Sequence, residues 1–315
     1  MAVIAVFPGQ GAQAVGMGSA LAAASPAARR LFEEVDEALG EKLSALIFEG
    51  PADRLTLTAN AQPALMATSL AAVRALEERL GGRLADRLDY VAGHSLGEYS
   101  ALAAAGSIAV ADAARLLRLR GEAMQDAVPA GEGAMAAVLG LGPDAAMAVA
   151  DAAAADGGVC QLANDNADGQ AVLSGSKEAV ERAVAIAKER GAKRVVLLQV
   201  SAPFHCALMA PAADRLERAL ADVRFAAPAV PLIANVTAEP VADPASLPGL
   251  LVRQATSRVR WRESMATMGR LGVATILELG AGKVLTGLAK RAVPGATLLN
   301  LAEPADLDAV AAALS

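Results

Sequence analysis

The pentapeptide Gly93-His94-Ser95-Leu96-Gly97 constrains this 315-residue chain more than any other feature. It follows an apolar run of strand length at 88–92 and precedes a helix-like run at 98–104, so strand, sharp turn and helix stand in order. The spacing matches G-x-S-x-G, in which small residues two before and two after the serine let a strained turn present its hydroxyl at the end of a strand. Such a turn also aims backbone N–H groups from a helix N-terminus, which makes the Leu96 amide a candidate donor to an oxyanion forming beside Ser95.

A serine nucleophile needs a base, and the chain has two histidines, His94 and His205. His94 adjoins the serine on the sharp turn, so its ring is expected to point away from the hydroxyl and to support the turn. His205 lies in Ser201-Ala202-Pro203-Phe204-His205-Cys206, after a predicted strand and before a helix, where sites of α/β folds assemble. It is either a satisfied structural histidine or the base for Ser95. No Asp or Glu stands out as a third triad member, and a backbone carbonyl is the alternative means of orienting the ring.

Residues 112–127 read as a helix whose apolar stripe contains Ala113, Leu116, Leu117, Met124 and Ala127. Arg120 falls on that stripe, whereas Arg115 and Arg118 lie about 140° and about 200° away, toward solvent. A guanidinium directed inward is costly unless an anion or other acceptors meet it. The partner is either an internal carboxylate or a substrate carboxylate held in bidentate geometry.

Around these residues the chain alternates strands and helices. A buried strand at 2–7 stops at Pro8-Gly9; Ser25-Pro26 opens a helix that Gly40 ends; a second helix is predicted to begin at Gln62-Pro63. From 134 to 200 the pattern is strand, helix, strand, strand, helix, strand, with its last strand at 194–200, and this βαββαβ order is that of ferredoxin-like units. Strands at 230–235 and 275–279 and a closing helix at 305–314 follow. The expected fold class is therefore α/β: an α/β-hydrolase-like large domain, 1–130 and 201–315, with an inserted ferredoxin-like subdomain, 131–200.

Composition narrows the function classes. The chain is 55% hydrophobic but only 3% aromatic, so Ala, Leu and Val must fill the core. Its 28 Lys and Arg against 34 Asp and Glu, net −6, with no basic run, disfavour nucleic-acid binding. Cys160 and Cys206 form neither a metal spacing nor a disulfide framework, which suits a reducing cytoplasm. No uncharged stretch approaches the ~20 residues of a membrane span.

Two glycine loops have rival meanings. Gly9-Gln10-Gly11-Ala12-Gln13-Ala14 matches a permissive dinucleotide fingerprint, but the acids roughly 20 residues on, Glu33-Glu34, sit inside a predicted helix instead of ending a strand. The loop's other use is the Gln10 N–H as a second oxyanion donor. Glu278-Leu279-Gly280-Ala281-Gly282 reads as a tight turn, because too little chain follows to build a methyltransferase fold. Lys283, Lys290 and Arg291 form a modest basic cluster, either a solvated face or a surface for an acidic partner.

Taken together, Phe7-Pro8-Gly9-Gln10-Gly11, Gly93-His94-Ser95-Leu96-Gly97-Glu98, Arg120-Gly121 with Met124-Gln125, Gly133-Ala134-Met135-Ala136, the stretch from Ala163-Asn164 to Gly169-Gln170, and Pro203-Phe204-His205 span nearly the whole chain. In these motifs it strongly resembles malonyl-CoA:acyl carrier protein transacylases of fatty-acid synthesis and the acyltransferase domains of polyketide synthases. The resemblance implies Ser95 as nucleophile, His205 as base, Gln10 and Leu96 as oxyanion donors, and Arg120 as the binder of the malonyl carboxylate. It also implies that the main-chain carbonyl of Gln254 orients His205, that Arg194 lies where the family contacts coenzyme A, and that acyl carrier protein is the partner. Lys283, Lys290 and Arg291 are then candidates for meeting that acidic protein. No cofactor or metal is implied; malonyl-CoA is a substrate, and phosphopantetheine arrives on the carrier. Phe204 departs from the small polar residue of many free-standing bacterial members and matches malonyl-selective polyketide domains. Competing readings are a serine hydrolase or thioesterase, a non-catalytic acyl-CoA or carrier-protein binding module, and the same transfer in a polyketide or malonate decarboxylase system.

Overall fold

In the computed structural model, which describes residues 2–314, the apolar run near the start of the chain becomes an interior strand of a six-stranded sheet. The strands are β1 (Ala2–Phe7), β2 (Tyr90–Gly93), β3 (Gly133–Leu139), β4 (Cys160–Ala167), β5 (Gln170–Ser176), β6 (Arg194–Leu197), β7 (Leu232–Ile233), β8 (Pro240–Val241), β9 (Val273–Leu279) and β10 (Thr297–Leu301). The large sheet has the order β10-β9-β1-β2-β7-β8 and is parallel except for β8. A parallel sheet must be covered on both faces, so an interior strand such as β1 reads as continuously apolar.

Successive residues of β1 divide between the two coverings. Ala5 and Phe7 share one core with Leu65, Met66 and Ala67 of the Thr58–Leu80 helix, which is buried on almost every side. Ile4 and Val6 join Ala92 in a second core closed by Trp261 and Met265 of the Trp261–Arg270 helix and by Leu285 of the Val284–Ala292 helix.

The other four strands form an antiparallel sheet in the order β4-β5-β3-β6. One face packs on the Pro143–Ala154 and Lys177–Glu189 helices, with Ala136, Val138 and Leu173 against Val149, Val180 and Ala183. Met135, Ala137 and Val172 have the opposite parity in β3 and β5 and line a cavity over Ser95.

Most elements lie within a few residues of their expected limits, and three of the differences have a clear physical cause. The helix predicted from Gln62-Pro63 begins a turn earlier, at Thr58, because losing the single N–H of Pro63 still leaves that first turn its bonds from Asn60 and Ala61 to the Leu57 carbonyl. The strand expected at 230–235 shortens to Leu232–Ile233: the Ala234 N–H turns to the Glu239 carbonyl, and Asn235 is drawn into the serine turn. The last strand of the small sheet ends at Leu197, and residues 198–200 leave it to line the cavity.

Candidate active site

β1 and β2 are neighbours, with Phe7 opposite Gly93, so the loops after both strands emerge together. His94 still donates its N–H to the Phe7 carbonyl at 3.0 Å, and the chain turns at the next residue. Ser95 has φ +54°, a left-handed conformation that a residue with a Cβ seldom adopts. Two side chains brace it: its N–H donates to Asn235 Oδ1 at 2.8 Å, and its carbonyl accepts from Gln254 Nε2 at 2.9 Å. Both glycines of the motif are demanded by backbone crossing. A Cβ on Gly93 would lie 1.9 Å from the Gly97 carbonyl, and one on Gly97 would lie 2.2 Å from the Phe7 oxygen.

Ser95 Oγ lies 2.7 Å from His205 Nε2, and His205 Nδ1 lies 2.9 Å from the main-chain carbonyl of Gln254. A carbonyl oxygen only accepts, so Nδ1 carries the ring proton and Nε2 is free to accept from the Ser95 hydroxyl. Burial, with the positive charge of Arg120 second, pushes His205 down to about 3, so the ring is neutral near pH 7. His205 also adopts a left-handed φ, +58°. His94 turns elsewhere, as expected: its Nε2 lies 2.9 Å from Asn166 Oδ1 and its ring sits 5.6 Å from that of Trp261.

Arg120 is 2% exposed on the Val110–Asp126 helix. Its Nη1 donates to Gln62 Oε1 at 2.6 Å, and its Nη2 donates to Gln254 Oε1 at 2.9 Å and Ser95 Oγ at 3.1 Å. The guanidinium also lies 5.7 Å from the centre of the Tyr99 ring. Among the described residues no carboxylate is within ion-pair distance, and Arg120 Nε has no partner. The internal ion pair open to the sequence is therefore absent. Of its two helix neighbours, Arg115 is exposed as expected, but Arg118 is half-buried, bonded to Asn60 and Glu41.

The cavity above these residues has a volume of about 430 Å³ and touches Gln10, Ser95, Arg120, Phe204 and His205. The backbone N–H groups of Gln10 and Leu96 find no protein acceptor among the described hydrogen bonds. A smaller cavity adjoins it through Gln10, His94 and Asn166 and reaches Val284 and Leu288; a third, beyond Leu288, is bordered by Arg291. Lys283, Lys290 and Arg291 all stand exposed on or beside the Val284–Ala292 helix, and Arg194 is exposed on β6, outside the cavity lining. Glu278 builds no site; it accepts from the N–H groups of Leu285 and Thr286 at 3.0 and 2.8 Å and fixes the start of that helix. No group of three or more potential metal ligands occurs among the described residues, and no helix is long and apolar enough to cross a membrane.

Several members of the site went unnoticed in the sequence. Gln62 and the Gln254 side chain hold Arg120, Asn235 braces the turn through Ser95 N–H and, at 2.7 Å, the Gly93 carbonyl, and Glu98 is buried against Asn235 and Gln254. Only Glu98 left a signal, as the single charged residue in the run 96–105.

Residues 4–302 match the profile of the acyl transferase domain family. A malonyl CoA-acyl carrier protein transacylase of Bacillus subtilis is 49% identical over 286 residues, covering 91% of this chain and 89% of the relative. An acyl-carrier-protein-S-malonyltransferase from Bartonella henselae superposes with a TM-score of 0.96 at 54% identity, covering 100% of this chain and 99% of that one. A malonyl-transacylase solved in complex with a type II PKS acyl-carrier protein superposes with a TM-score of 0.95 at 41% identity, over 99% and 100% of the two chains. With a serine, a histidine and a buried arginine meeting at one cavity, and with likeness extending over the full chain, the protein belongs to the acyl transferase family.

Proposed function

We propose that this enzyme transfers the malonyl group of malonyl-CoA to the phosphopantetheine thiol of acyl carrier protein, in fatty-acid synthesis, through a malonyl ester on Ser95. His205 Nε2 takes the Ser95 proton as Oγ attacks the thioester carbonyl. The oxyanion faces the unpartnered N–H groups of Gln10 and Leu96. On collapse the carbon–sulfur bond breaks, and the coenzyme A sulfur receives the proton from His205. The carrier's thiol then enters, gives its proton to His205, attacks the ester and leaves as malonyl thioester, restoring the Ser95 hydroxyl. Gln254 keeps the imidazole in the required tautomer throughout through its main-chain carbonyl.

The single observation that carries this reading is Arg120: a buried guanidinium, with no carboxylate partner among the described residues, 3.1 Å from Ser95 Oγ. In a malonyl group one methylene separates the free carboxylate from the carbonyl under attack, so a cation touching the nucleophile is at the right remove. An esterase or thioesterase for neutral acyl groups gains nothing from burying such a charge. Burial depresses His205 most and the charge of Arg120 second; as the substrate carboxylate neutralises Arg120, that second effect weakens, and the bound malonyl group strengthens its own base.

The architecture behind this chemistry is an α/β-hydrolase-like unit, 1–130 and 201–315, with a ferredoxin-like insert, 131–200; the strand order β4-β5-β3-β6 supports the second part. Lys283, Lys290 and Arg291 receive the acidic carrier, and Arg194 contacts coenzyme A. No cofactor or metal takes part. The place of action is the cytoplasm, consistent with two buried free cysteines.

Intact-protein mass spectrometry after brief mixing with malonyl-CoA or acetyl-CoA tests the reading. A malonyl adduct is expected on the wild type, none on Ser95→Ala, and on Arg120→Ala a loss of malonyl far greater than that of acetyl. Equal labelling by both donors, indifferent to Arg120, would establish a general hydrolase instead.

A further inference from the structure

We propose that Glu98 is a positioning residue that fixes which end of the Gln254 side-chain amide faces Arg120, and thereby sets the preference for a carboxylated acyl group. The inference rests on the malonyl-transfer reading and adds a determinant of selectivity to it. Glu98 is 1% exposed in the first turn of the Gly97–Ala104 helix, against the floor of the site. One of its carboxylate oxygens accepts the Asn235 backbone N–H at 3.2 Å, and the other accepts from Gln254 Nε2.

The Gln254 amide has two faces with opposite demands. On one side stand two acceptors, the Glu98 carboxylate and the Ser95 carbonyl, both served by Nε2. On the other stands a donor, Arg120 Nη2, served by Oε1. Reversing the amide would set its NH2 group against a guanidinium and its oxygen against two acceptors. The charged acceptor is the stronger of the two, so Glu98 does most to forbid the reversal.

The consequence falls on the substrate's carboxylate. Held by the neutral oxygens of Gln254 and Gln62, Arg120 is oriented without losing its charge. Glu98 accomplishes this through Gln254 and does not itself pair with the arginine, as a direct contact would neutralise the cation that malonyl must find. The main-chain carbonyl of Gln254, which holds His205, does not depend on the amide's orientation. Reversal would also take the Gln254 Nε2 bond from the Ser95 carbonyl, a loss that both donors share, so the mark of Glu98 on acyl selectivity is read in the ratio between them.

Rates of Ser95 acylation from malonyl-CoA and from acetyl-CoA, on wild type, Glu98→Gln and Glu98→Ala, test this, with melting temperatures recorded for each. Glu98→Gln keeps the shape but presents an NH2 group to Gln254 and forces the amide round. The malonyl-to-acetyl ratio is expected to fall by roughly tenfold or more, and further than in Glu98→Ala, which removes the partner without inverting it. A structural role alone predicts the reverse ranking, with Glu98→Ala worse and both donors affected equally; either of those results overturns the proposal.

Should Glu98→Gln not fold, the wild type supplies the test. Burial raises the Glu98 carboxyl to about 7 against the opposing pull of Gln254, Asn235 and Arg120, and Tyr99 on its own helix is the other titratable group it acts on. A protonated Glu98 resembles the Gln variant, so the malonyl-to-acetyl ratio should fall as pH drops from about 8 to about 5.5, a range in which an ordinary carboxylate such as that of malonyl stays ionised. Because bound malonyl, unlike acetyl, relieves His205 of part of the Arg120 charge, the same ratio is followed in Glu98→Ala, which keeps His205 and Arg120 but has no carboxyl to titrate and should show the smaller fall; an equal fall would overturn the inference. A flat ratio would overturn the inference, whereas a wild type that forms no malonyl-Ser95 ester would overturn the functional reading beneath it.

Discussion

From the six-stranded sheet and the helices packed on it, the cavity receives Ser95 and Arg120, each tied to at least two other elements by hydrogen bonds, with Gln254 buried behind both. From the four-stranded sheet it receives Met135, Ala137 and Val172 of β3 and β5, whose side chains have no polar bonds to make, besides Asn164 and Asn166 of β4. Beside the nucleophile, Asn166 of β4 makes a polar link across the divide, bonded to His94. The contrast separates two tasks. Geometry for bond making is fixed to within a hydrogen bond's tolerance on one side, while β3 and β5 on the other offer an apolar wall. A wall of that kind is changed by size and a polar cage by chemistry, so substitutions on the two sides should fail differently.

The largest effect is expected at His205, the base of the proposed transfer. His205→Ala should slow Ser95 acylation by about 10³-fold or more, for malonyl and acetyl donors alike, because it removes proton transfer from both. Rapid-quench mass spectrometry would show it; a malonyl-specific loss would place His205 in acyl recognition instead. Next comes Gly97→Ala, where the new Cβ would meet the Phe7 oxygen at 2.2 Å and the Pro8 oxygen at 2.9 Å. Backbone cannot yield there without opening the β1–β2 junction, so the variant should lose roughly 3 kcal/mol or more of stability, read by denaturant titration, and should fail to acylate. Retained stability would mean that the turn is looser than its contacts imply.

Arg120→Ala should alter the pH dependence as well as the donor preference. Arginine's charge helps depress His205, so its removal raises that pKa toward the ordinary value. Acylation needs the neutral ring and is lost as pH falls through the pKa. The acid limb of acetyl transfer should therefore move to higher pH in Arg120→Ala than in wild type, measured as the acylation rate from pH about 4 to about 8. An unmoved limb would show that Arg120 exerts little field on His205.

How much of this was legible in the sequence depended on how local the cause was. Ser95 could be found because its two glycines answer a steric need within five residues, and Arg120 because a helical stripe is a periodic property of one segment. His205 emerged by elimination from a chain with two histidines. The role of the Gln254 carbonyl came only through resemblance, since a main-chain acceptor leaves no mark on residue type. Asn235 was hidden inside what reads as a continuing strand; its departure is caused by a turn that lies 140 residues earlier in the chain. The extra helical turn that begins at Thr58 was concealed by Pro63, whose usual meaning is a helix start. Local sterics were readable, and bonds across long sequence separations were not.

The smallest expected effect sharpens the contrast most, because it concerns the apolar wall. Ala137 in β3 faces the cavity beside Val172, on the side away from the core formed by Ala136 and Val138. Ala137→Val adds two methyl groups at a half-buried position and should cost less than about 1.5 kcal/mol of stability. It narrows the space for a substituent on the acyl chain without touching the nucleophile, its base or Arg120. Acylation by malonyl-CoA should change by less than about threefold, while a branched methylmalonyl donor should lose roughly tenfold, a difference of about one methyl group in an apolar pocket. Parallel rates with the two donors check this directly. Equal losses would mean that β3 holds the catalytic cage in place, and the division of labour between the two sheets would have to be given up.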